Sequence, residues 1–119
     1  MPKTPKQKHL ELYLADILKA ITKINSYIAE MTYREFAQDD KTQDAVIRNL
    51  EIIGEATKPI PPAFKELEPG VPWKSYAGIR DIIAHYYFGV DLELIWDTVQ
   101  HDLGKLKAAV EGLITKIKT

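Results

Sequence analysis

At 119 residues and with no cysteine, the chain is sized for one hydrophobic core and has no disulfide, thiolate-metal or thiol-nucleophile chemistry open to it. Its 45% apolar and 28% charged residues are ordinary for a globular protein, and a net charge of −1 leaves only local patches for contact with nucleic acid. The opening MPKTPKQKHL has lysines but no apolar signal segment, and nowhere do about 18 apolar residues run together, so a soluble, cytoplasmic single domain over residues 1–119 is expected.

The first predicted element carries Leu10, Leu14, Ile17, Ile21, Ile24, Ile28 and Met31, spaced alternately by four and three residues. That is the period of a helix burying one narrow seam. A short helical turn is expected at TYREF. DDKTQDAVIRNLEIIGEATKPI then reads as a second long helix, with Asp40 and Gln43 in capping-box spacing and Val46, Leu50, Ile53 and Thr57 continuing a stripe. Pro59, Pro61 and Pro62 end it, and PAFKEL is expected to add another turn. Pro72 is placed to open a helix over about 72–87, which Gly89 breaks. Asp91 stands at the N-cap of a last helix whose stripe is Leu92, Trp96, Val99, Leu103, Leu106, Val110, Leu113 and Ile117. The expectation is an all-α antiparallel bundle of four main helices with one or two short extra ones.

The third main helix is the unusual one. At about 100° per residue, Tyr76, Ile79, Ile82, Ile83 and Tyr86 share one arc and should face the bundle. The other side gathers Ala77, Gly78, Arg80, Ala84, Asp81 and His85, with Tyr87 about 20° from Arg80. A solvated face would carry Lys, Glu and Gln. Small residues admit a second backbone, and a twofold-related copy of this helix would bring two Arg80 and two His85 together. On one straight helix Arg80 and His85 point about 140° apart, whereas Asp81 and His85 are i,i+4 neighbours about 40° apart, so Asp81 can orient the imidazole.

Histidine and arginine suit phosphodiester cleavage. Histidine, with a reference pKa of about 6.5, can take a proton from a ribose 2′-hydroxyl or give one to a leaving 5′-oxygen. Arginine can hold the phosphate and the added negative charge of its transition state. Spacing alone leaves a plainer alternative open, in which His85 hydrogen-bonds within a subunit interface and Arg80 pairs with an acid.

Arg80, four residues, His85, one residue and Tyr87 resemble the Arg-x4-His-x-Tyr motif of HepT-like toxins in the HEPN superfamily. PWKSYAGIRDIIAHYYFGVD is similar to that family's active-site helix, DDKTQDAVIRNLEIIGEA to its second long helix and YLADILKAITKI to its first. The resemblance implies a HEPN bundle that forms a homodimer and acts as a metal-independent endoribonuclease, with no cofactor. It implies a type VII toxin–antitoxin pair, whose MntA-like nucleotidyltransferase antitoxin silences the toxin by adding AMP to the motif tyrosine. By position, Arg80 and His85 become catalytic, Asp81 supporting and Tyr87 the AMP acceptor. Tyr86, beside it, falls in the core arc. A non-catalytic helical subunit that binds a nucleotidyltransferase is the competing reading.

Elsewhere the residues are plainer. His9 and His101 are expected in solvent, and Arg48, Glu51 and Glu55 are expected to pair along their helix. Asp81 and His85 have metal-ligand spacing without a third ligand nearby, so no metal site is assigned.

Overall fold

Every apolar seam residue from Leu10 to Ile28 is buried, as are Val46, Leu50 and Ile53 and the run from Val99 to Leu113. Each such side chain contributes about 1.5–3 kcal/mol relative to exposure, so these stripes set the architecture. The computed structural model describes residues 5–79, 81, 83, 84 and 91–118, with side chains from residue 8 onward. Its helices are α1 (Pro5–Ile28), α2 (Tyr33–Ala37), α3 (Asp40–Thr57), α4 (Pro62–Lys65), α5 (Trp73–Ala77), α6 (Leu92–Asp97) and α7 (Leu103–Lys118). A π-helical turn, Thr98–Asp102, joins α6 to α7. Among the described residues there is no strand, and no helix is long and apolar enough to cross a membrane. α1 packs chiefly against α3 and then α7, α2 closes on α3 and α6, and α5 lies on α3.

The two short turns form where expected, at α2 and α4. α2 opens on a capping box that the sequence reading passed over: Thr32 and Glu35 each accept from the other's backbone N–H. The cap of α3 needs a correction. Asp40 is the first helical residue, and Asp39 is the N-cap, accepting from the Thr42 backbone N–H at 3.0 Å and the Thr42 hydroxyl at 2.8 Å. Gln43 is buried and donates its amide to the Phe36 carbonyl at 2.9 Å, a tertiary task that removes it from the cap.

Those bonds, the backbone one first, hold the Asp39 carboxyl below its ordinary value of 3.8. Its stabilising contribution is therefore complete above that value and fades as pH falls through the lower folded one. Asparagine caps about as well but does not titrate. Asp39→Asn should thus melt like the wild type at neutral pH and lose less melting temperature on acidification. Equal acid losses, followed by circular dichroism, would remove Asp39 from this account.

The expected unbroken helix over about 72–87 is divided. Pro72 occupies the N-cap position, α5 runs from Trp73 to Ala77, and Gly78 is its C-cap. The Gly78 N–H reaches back to the Lys74 carbonyl at 2.9 Å, but the Gly78 carbonyl takes Asp81 N–H at 3.0 Å, a tighter i→i+3 bond. Ile79, Asp81, Ile83 and Ala84 are again helical. The last helix also departs from the reading, which made it continuous from Leu92. Its π turn inserts a wider i→i+5 step that residue spacing does not announce.

Candidate active site

The stretch that follows α5 is held at its root from three directions. The Trp73 indole N–H donates to the carbonyls of Lys65 and Glu68, each at 3.1 Å. The Tyr76 hydroxyl donates to the Asp102 carbonyl at 2.9 Å, across to the π turn. Burial, and then the nearby Asp102 charge, push the Tyr76 phenol above its ordinary range, so it stays protonated as a donor. Thirdly, Gly54 of α3 sits flush against this stretch: a Cβ there would come within 2.5 Å of Ile79 Cγ2 and 3.2 Å of the Tyr76 carbonyl oxygen.

Orientation follows the expected wheel wherever it is described. Tyr76, Ile79 and Ile83 are buried, Ala77 is half-buried, and Asp81 and Ala84 are exposed. Arg80, His85, Tyr86, Tyr87 and Gly89 lie outside the described residues. Of the expected site residues, Asp81 alone is described, helical and open to solvent.

Beside this stretch runs a cleft of about 670 Å³. Ala77, Ile79, Ile83 and Ala84 form one wall, Tyr13 and Asp16 of α1 another, and Arg48, Glu51, Ile52 and Glu55 of α3 the third. Two of the helix-surface pairs expected from sequence border it in modified form. Arg48 meets Glu51 at 3.7 Å, with side chains 71% and 38% exposed, while Glu55 pairs with Lys58 at 3.1 Å. Exposed pairs of this kind contribute about 0–1 kcal/mol, so Arg48 can leave Glu51 for an anion at small cost. From sequence, Arg48, Glu51 and Glu55 are expected only to pair along their helix, and Tyr13 is not singled out at all. Tyr13 lies between seam positions Leu10 and Leu14, and an aromatic ring just off an apolar seam is the signal that could have marked it. His9 and His101 are exposed, as expected.

A seam-built bundle of helices, with no strand among the described residues, fits the HEPN-type architecture expected from the sequence. A family profile described as "Ribonuclease HepT-like" matches residues 17–113. The chain belongs to the HepT-like ribonuclease family. It is 48% identical over 108 residues to a protein of Thermococcus cleftensis named "Probable ribonuclease HepT", covering 91% of this chain and 97% of that one. It is 42% identical over 118 residues to a "Putative RNase" of Methanocaldococcus jannaschii, covering 99% of this chain and 94% of the relative. A third relative, a "Gamma-glutamylcyclotransferase and putative RNase" of the same organism, is 44% identical over 111 residues, 93% of this chain but 50% of that protein. No solved structure gives a significant match.

Proposed function

We propose that this chain is a metal-independent endoribonuclease toxin of a HEPN/MNT toxin–antitoxin pair, with Arg80 and His85 as its catalytic residues. The observation that carries this reading is the near full-length similarity to proteins named as ribonucleases, together with Arg80, His85 and Tyr87 in motif order. His85 takes the proton of a ribose 2′-hydroxyl as that oxygen bonds to phosphorus. The bond from phosphorus to the 5′-oxygen breaks, and the leaving oxygen receives a proton back from the His85 imidazolium. Arg80 holds the phosphate and the charge that builds on it, and Asp81 orients the imidazole. The products are a 2′,3′-cyclic phosphate and a 5′-hydroxyl.

The same reading makes residues 1–119 one helical domain, acting in the cytoplasm. The third relative supports this, since the chain aligns with half of a longer protein as a unit. It also makes the enzyme a homodimer. On one straight helix Arg80 and His85 would point about 140° apart, too far to grip one phosphate, and the exposed Ala84 beside the cleft leaves room for a second backbone. Ala84→Trp should then weaken dimerisation or close the cleft to RNA. Light scattering that finds the wild type monomeric at micromolar concentration would count against the dimer.

Silencing by the nucleotidyltransferase antitoxin would act at Tyr87. On a helix, that position falls about 20° from Arg80, so an attached AMP sets bulk and phosphate charge beside the group meant for RNA phosphate. Expression of the chain alone should arrest growth, His85→Ala should abolish the arrest, and the cognate antitoxin should relieve it while adding an AMP mass to Tyr87. A non-catalytic subunit would give no arrest in the wild type. Relief without an adduct, or an adduct on Tyr86, would overturn the regulatory part.

A further inference from the structure

Among the described residues on either side of position 80, Ile79 and Ile83 are buried and supply apolar contacts. Such contacts are non-directional, and a helix resting on them can slide or roll by fractions of an ångström at small cost. Holding a transferring phosphate demands placement within about 0.5 Å. The break at Gly78 sharpens the requirement, because the hydrogen-bond ladder of α5 does not run on unchanged into the next residues. A directional restraint close to the break is needed.

Tyr76 is that restraint. It is 3% exposed, two residues before the break, and its hydroxyl bonds to a carbonyl 26 positions away in the chain, on another helix. The acceptor, Asp102, ends the π turn. A wider turn displaces backbone groups from the α-helical track, and here one of them receives the donor. The tyrosine's own carbonyl is also backed by Gly54, which leaves no space for a side chain between α3 and this point. Tyr76 is therefore fixed at the ring tip by the last helix and at the backbone by α3. Arg80 follows it four residues later in the sequence.

We propose that Tyr76 is a positioning residue for RNA cleavage, its hydrogen bond to the π-turn carbonyl of Asp102 fixing the segment from which the chain runs on to Arg80. This rests on the ribonuclease reading above. Phenylalanine would fill the same space, so packing alone does not explain the hydroxyl.

The test is Tyr76→Phe, assayed on a short RNA beside the wild type and Val110→Ala. Val110 is fully buried in α7, about two turns beyond the π turn, and its truncation reports lost stability without the loss of this bond. Wild-type cleavage comes first: its absence defeats the ribonuclease reading itself. With an active wild type, Tyr76→Phe should lower kcat by about ten- to a hundredfold with KM within about twofold, because misplacement acts on the transition state. Val110→Ala, compared at equal loss of melting temperature, should keep kcat within about twofold. A Tyr76→Phe enzyme with wild-type kcat, or a Val110→Ala enzyme losing kcat in the same proportion, would overturn the proposal. If Tyr76→Phe is partly unfolded at the assay temperature, the same criteria apply at a lower temperature where circular dichroism shows full helicity.

Discussion

His85→Ala should cut RNA cleavage by about a hundred- to ten-thousandfold, the span expected when a general acid–base group is lost. Arg80→Ala should cost about a hundred- to a thousandfold, through lost stabilisation of charge on the phosphate. Neither should change helicity or melting appreciably, since the described core is made of other side chains, Tyr76, Ile79 and Ile83 in this stretch among them. Lysine at position 80 should restore little, because a point charge cannot replace a forked one. Cleavage by His85→Ala at the wild-type rate, measured on the same RNA, would remove the motif from the mechanism.

Gly54→Ala should be damaging although alanine is the better helix former by about 1 kcal/mol. The added methyl meets Ile79 Cγ2 at 2.5 Å and the Tyr76 carbonyl oxygen at 3.2 Å. Ile79 is 2% exposed and β-branched, so it has few rotamers with which to yield. Overpacking of this kind costs about 1–3 kcal/mol and outweighs the propensity gain. The shift falls on the residue directly before Arg80, so activity should fall further than stability alone explains. Thermal melts and kcat for the one variant decide this. A more stable Gly54→Ala protein with unchanged kcat would show that the close approach does not matter.

The bundle was legible because its information is repeated. Leu10 to Ile28 and Val99 to Leu113 state the same period many times, and every turn reinforces the last. Features that depend on a single partner were not legible. Gln43 looked like a capping residue until the Phe36 carbonyl claimed it, which left the cap to Asp39 and Thr42. The break at Gly78 turns on a local choice between two hydrogen-bond spacings, for which a lone glycine is an ambiguous sign. The π turn at Thr98–Asp102 has no residue signature, and its acceptor for Tyr76 is a backbone carbonyl, which sequence never displays. As for the proposed site, Arg80, His85 and Tyr87 are read from residue type and order alone, while the walls of the cleft needed three segments brought together. Tyr13 of α1 and Arg48 of α3 are 35 positions apart, and nothing in either neighbourhood names the other.

The most direct test of the proposed chemistry is the end structure of RNA cut by the purified protein in the presence of EDTA. The account predicts cleavage undiminished by the chelator, with 2′,3′-cyclic phosphate and 5′-hydroxyl ends that vanish in His85→Ala. Cleavage that stops in EDTA and returns with a divalent metal, or that leaves 3′-hydroxyl and 5′-phosphate ends, would contradict it.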